Sequence, residues 1–174
     1  MNRHGFLTKA LAGLFGLLAF LGVVRFTAAT PPSGISFVPV APHPATLLEF
    51  NIDREHGMLD WKIELKAPQP IDVATQIVTF QPGGYSGWHT HPGPVFFTVI
   101  AGTLTVYEGE DPSCTPYVFA ERTGAVEAGT STHVHMVRNE TASVAQALVT
   151  YMVPVGTLQQ NLRSDRPDPG NCPF

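Results

Sequence analysis

The residues most able to do chemistry in this chain are two histidine pairs, His89-Thr90-His91 and His133-Val134-His135. Each pair is spaced i, i+2. In an extended strand alternate side chains share a face, so both members of a pair project together. Neutral imidazole is the commonest side-chain ligand for zinc, copper, iron and nickel. Two such pairs on facing strands can therefore converge on one ion. The other histidines have plainer surroundings: His4 lies in the apolar leader, His43 among prolines, and His56 in a polar turn. Glu108, Glu110 and Asp111 form an acidic turn, read as solvated surface because it lacks a full ligand set. No Ser-His-Asp or Cys-His nucleophile arrangement, P-loop or dinucleotide fingerprint is present.

The elements that must position these histidines read as short strands. Apolar, β-branched segments fall at 47–53, 59–66, 73–81, 95–101, 103–108, 117–121, 133–139 and 144–153, several alternating with a period of two. Gly and Pro, 16 of each, punctuate them and disfavour a helical bundle. Many short strands with Gly/Pro turns predict an all-β sandwich or barrel. At 174 residues there is room for one domain, and no long-period repeat is visible.

Outside that domain, residues 1–30 have a basic start (Arg3, Lys9), an apolar run over 10–24 and small residues near Ala29. This is the layout of a secretory signal peptide, while Arg25 leaves open an uncleaved N-terminal anchor. Either reading places the folded part outside the cytoplasm: secreted, periplasmic or membrane-anchored. A proline-rich linker or extended arm is expected over 31–46, the domain over 47–155 and a polar tail over 156–174. Residues 31–174 carry 7 Lys and Arg against 14 Asp and Glu, a formal charge of −7. That charge repels phosphate backbones and anionic lipids and makes nucleic acid an unsuitable partner. Cys114 and Cys172, the only cysteines, are expected to form a disulfide, which export permits.

The segment from Gly83 to Gly102, with His89 and His91 between, resembles the first cupin motif. Gly124, Gly129, His135 and Asn139 resemble the second, with Glu127 where that motif has proline. The resemblance covers about residues 70–155 and implies a single cupin jelly-roll β-barrel. It implies His89, His91 and His135 as metal ligands. His133 is then a fourth ligand or a nearby acid/base group, and a shifted register would exchange it with His135. The motif's glutamate is missing. Its position falls at Val95, with Phe96 and Phe97 following, so that strand offers no carboxylate.

A three-histidine site of this kind holds a divalent ion (Fe2+, Zn2+, Mn2+, Ni2+ or Cu2+, the identity left open) and leaves positions for water, dioxygen or substrate. The resemblance thus implies a dioxygenase-like oxidoreductase acting on a small molecule. The alternative is a non-catalytic exported protein that binds a metal or small ligand, since cupins host both. Trp88, Phe96, Phe97, Tyr107, Met136 and Tyr151 adjoin the motifs and serve as core or as the wall of an apolar pocket. Tyr85 and Ser86 could contribute a polar contact. The family also allows a homodimer through sheet edges.

Overall fold

The structure, a computed structural model, describes residues 28–40, 45–47, 69–130 and 132–174. The leader through residue 27, His43, His56, the expected strand at 59–66 and all but Leu47 of the strand at 47–53 lie outside the described residues.

Eleven strands make one antiparallel sheet that curls into a nearly closed barrel: β1 (Ser33–Pro39), β2 (Ala45–Leu47), β3 (Ile71–Tyr85), β4 (His89–Thr90), β5 (Val95–Ala101), β6 (Thr103–Glu108), β7 (Tyr117–Ala120), β8 (Gly124–Glu127), β9 (His135–Arg138), β10 (Ala145–Pro154) and β11 (Ser164–Asp165). The only helical element among the described residues is a 3₁₀ turn at Gln159–Asn161. This is the all-β jelly-roll barrel that the sequence predicts.

The long strand β3 is the spine. It pairs with β1 and β2 along one edge, with β10 over its length and with β9 at Tyr85. Beyond β10 the sheet continues through β5 to β8, and on the other side β9 pairs with β4 and β6. Strict alternation explains the core. In β10, Ala145, Ala147, Val149, Tyr151 and Val153 are all buried while the residues between them are not. They meet Val95, Phe97 and Val99 of β5 and Val78 and Phe80 of β3. Burying such side chains stabilises the fold by roughly 1.5–3 kcal/mol each. Gly102 turns β5 into β6 at φ +74°, a backbone region that costs every residue with a Cβ.

The arm before the predicted strands and the tail after them also join the barrel. Within the proline-rich arm, Ser33–Pro39 is a strand, with Ile35 opposite Phe80 and Phe37 opposite Val78. The β-branched and aromatic run Ile35-Ser36-Phe37-Val38 has strand character, and its prolines fall before it and at its end, where no ladder donor is lost. The polar tail likewise adds β11, with Ser164 and Asp165 opposite Thr90 and His89. Its end is tied down by the expected disulfide, Cys114–Cys172, Cα atoms 5.2 Å apart. That bridge caps a second small core of Trp88, Tyr107 and Met136.

Candidate metal centre

β4 and β9 lie side by side with His89 opposite His135, so the first pair and one member of the second come together by register. His89, His91 and His135 offer nitrogens within 4.8 Å of one another, and all three side chains are buried. Ring centroids are 4.3 Å apart for His89–His135, 4.7 Å for His89–His91 and 5.2 Å for His91–His135.

The surroundings orient these rings. His89 Nδ1 lies 2.9 Å from the Gly87 carbonyl and His91 Nδ1 2.7 Å from the Leu162 carbonyl. A carbonyl only accepts, so each Nδ1 carries the hydrogen and each Nε2 is left bare towards the centre. Ser86 steadies the same loop: its hydroxyl donates to Gly87 O and accepts from Val137 N–H. His135, with no solvent exposure, has no hydrogen-bond partner at Nδ1, and its Nε2 meets only the carboxylate of Glu127. A buried imidazole left so costs about 1–3 kcal/mol unless another partner completes it.

A carboxylate the sequence reading does not place here completes the group. Glu127 closes β8, directly opposite Val95 of β5. Its Oε2 lies 3.3 Å from His91 Nε2 and 3.2 Å from His135 Nε2. The acid absent at Val95 is thus supplied by the neighbouring strand, at the same level of the barrel. Only the β5–β8 register reveals this, and β8 is not among the strands the sequence predicts. Burial alone would raise the Glu127 pKa, but the two imidazoles outweigh it and hold the carboxylate ionised. Burial lowers the His135 pKa, and Glu127 more than offsets this to raise it. His89 stays well below the ordinary histidine value, through burial first and then the neighbouring His135, Arg163 and His91. Three buried imidazoles with converging nitrogens and an ionised carboxylate against two of them suit a divalent cation. The field that draws a proton to His135 would draw a metal ion equally.

His133 lies just before β9, which begins at His135, and its N–H is donated to Thr130 Oγ1. Its ring centroid is 5.2 Å from that of His135, although it is not among the three histidines whose nitrogens converge. His133 Nε2 faces Glu108 at 3.4 Å and Nδ1 faces Glu110 at 3.8 Å. Glu108, read as solvated from sequence, is half-buried, and burial raises its pKa against the pull of His133 and His135. Glu108, His133, Tyr117, Phe119 and the outer side of Glu127 line a recess of about 360 Å3.

On the inner side, a cavity of about 40 Å3 touches His89, His91, Glu127, Tyr151, Arg163 and apolar residues of β1, β3, β5 and β10. Phe97 and Tyr151 line it, whereas Trp88, Tyr107 and Met136 pack in the second core. The sequence does not mark Tyr151 and Arg163 as polar groups of the site, and the tail carrying Arg163 gives no strand signal to place it.

Residues 76–151 match the family model described as Cupin domain, which spans the strands that hold His89, His91, His135 and Glu127. That match spans 76 of the 174 residues and supports the cupin resemblance over them, and several solved structures are similar in part. With a protein from Thermus thermophilus, TT1209, the identity is 22%, the match covers 74% of this chain and 92% of that one, and the TM-score is 0.44. With a cupin-superfamily sugar phosphate isomerase from Silicibacter pomeroyi the figures are 21%, 46%, 50% and 0.41. With the DMSP lyase DddQ from Ruegeria pomeroyi they are 20%, 49%, 41% and 0.42. The match thus spans about half or less of the last two proteins. A search of curated proteins finds no match.

Proposed function

We propose that this chain is a metal-dependent cupin that holds a divalent ion through His89, His91, His135 and Glu127 and acts on a small molecule as a dioxygenase-like oxidoreductase. The observation that carries the reading is the convergence of three buried imidazoles and an ionised carboxylate beside a cavity. When bound, such an ion would act as a Lewis acid towards an oxygen-bearing ligand or, if redox-active, exchange electrons with dioxygen. The chain's own part is to orient and to exclude. Gly87 and Leu162 fix the two Nδ1–H groups, and β1, β3 and β10 wall the cavity with apolar side chains. His133, hydrogen-bond-ready and reachable from the outer recess, is placed to carry protons between solvent and the Glu127 side.

The Cys114–Cys172 disulfide and the leader-like N-terminus support folding in an oxidising, extracytoplasmic compartment. No helix among the described residues is long and apolar enough to cross a membrane. The second reading is a non-catalytic exported protein that binds a metal or small ligand. It is favoured by the small volume of the inner cavity and the near-complete burial of all three histidines.

Elemental analysis of the protein from an exporting host, beside His89→Ala and His135→Ala, tests the centre. One metal per chain, lost in both variants, is the expected result. A wild type that stays metal-free after reconstitution would sink the metal reading. Water-proton relaxation of the manganese-loaded protein then separates the two functions: an exchanging inner water supports the enzyme, and none supports the holding protein.

A further inference from the structure

Arg163 enters the inner cavity from the tail, between two fixed points. The residue before it gives its carbonyl to His91, and Ser164 and Asp165 pair with Thr90 and His89. The side chain is only 15% exposed. One end is held, Nη2 donating to Asp165 Oδ1 at 2.6 Å, but the buried Nε–H has no acceptor. Tyr151 faces the same space: its oxygen already accepts from Gln76 Nε2 at 2.7 Å, so its own O–H remains to be donated. The one carboxylate on the cavity wall, Glu127, is turned to His91 and His135. The other walls, such as Val78, Phe80, Leu104 and Val149, are apolar. The cavity therefore presents a phenol and a guanidinium that Asp165 holds by one end only, its Nε–H still without an acceptor.

We propose that Arg163 makes this cavity a subsite for a small carboxylate, or the carboxylate end of a small substrate, held between the guanidinium and the metal centre. The proposal deepens the metal-centre reading and rests on it for the group at the ligand's other end. Charge decides the class. A divalent ion and Arg163 together still outweigh Glu127 and Asp165, so an anion is drawn in, a cation is repelled and a neutral molecule gains little. Guanidinium matches carboxylate by geometry as well as sign, and low-dielectric walls strengthen the match. Volume decides the size. About 40 Å3 admits only a few non-hydrogen atoms, which is the scale of formate or acetate.

The test uses the full chain, zinc-loaded and metal-free, with formate and its neutral isostere formamide as probes in saturation-transfer NMR. Wild type should bind formate at least about tenfold more tightly than formamide. Arg163→Gln should lose at least about tenfold in formate affinity, with its zinc content unchanged, and Arg163→Lys should lose less. Equal affinity for the two probes, or unaltered formate binding by a zinc-loaded Arg163→Gln protein, would overturn the subsite and leave the metal centre standing. If wild type takes up no zinc, the metal reading falls instead. Formate binding by metal-free wild type against Arg163→Gln then decides the subsite alone. Should Arg163→Gln fail to fold, Arg163→Lys and the formate–formamide comparison in wild type decide it.

Discussion

Asn139 is fully buried at the corner where β9 leaves the sheet, and removing its side chain should unfold more than the site. Its Nδ2 donates to Ser143 O at 2.7 Å and, with the other hydrogen shared, to Phe80 O at 3.1 Å and Gln81 O at 3.2 Å. Its Oδ1 accepts from Thr141 N–H and from the Thr141 hydroxyl. One amide thus ties β3, β9 and the turn into β10. Asn139→Ala forfeits about four hydrogen bonds near 1 kcal/mol each and leaves several groups short of a partner, against some relief where water enters. The expected loss is about 3–4 kcal/mol. For a domain of this size that lowers Tm by roughly 10–15 °C. Asn139→Asp is nearly isosteric and should be worse at pH 7, because it sets a buried carboxylate against three carbonyl oxygens. Burial raises that acid's folded pKa above its unfolded value of about 3.9. Its stability is therefore relatively best below about pH 4 and is lost as pH rises through the folded pKa. Urea unfolding of the three proteins between about pH 3 and pH 7 measures this. An Asp variant within about 1 kcal/mol of wild type at pH 7, or one more stable than the Ala variant there, would refute the reasoning.

Other outcomes follow from the same geometry. Glu127→Gln should weaken zinc binding by about 10–100-fold in a chelator competition, and an unchanged affinity would remove Glu127 from the centre. In the metal-free protein, His89 should remain neutral by NMR at about pH 5.5, since burial and its histidine neighbours depress its pKa. The unfolded chain takes up the proton that folded His89 refuses, so this group favours folding above about pH 6.5 and loses that contribution as pH falls. A His89 titration near the ordinary histidine value would contradict the buried geometry. Cys114→Ser with Cys172→Ser opens a crosslink spanning 58 residues. It should cost about 2–4 kcal/mol by chemical denaturation, and a loss under about 1 kcal/mol would mean that the tail is held without it.

Local pattern makes much of the barrel legible. The strands at 95–101 and 103–108 are observed as β5 and β6 with unchanged bounds, because period-two alternation and Gly102 leave no other register. The disulfide is legible because the chain offers no other pairing. His89, His91 and His135 are legible through spacing and motif. Glu127 is not: its role depends on which strand lies beside Val95, a long-range pairing that no local pattern encodes. For His133 the spacing accounts for a ring 5.2 Å from that of His135, but not for Glu108 and Glu110, which it faces and which no local spacing encodes. Arg163 and Ile35 come from segments whose polarity or proline content hides their pairing until the barrel exists to receive them.

The carbonyl that holds His91 belongs to Leu162, which follows His135 by 27 positions along the chain (162 less 135). All three histidines therefore precede in synthesis the residue whose carbonyl orients one of them. Under the proposed metal reading, the histidines would be a looser chelator before the tail docks than after it, open to whichever ion binds imidazole most tightly. Selectivity for a particular ion begins only when β11 docks against β4. Under that reading, the surroundings in which the tail docks would set which ion the centre keeps.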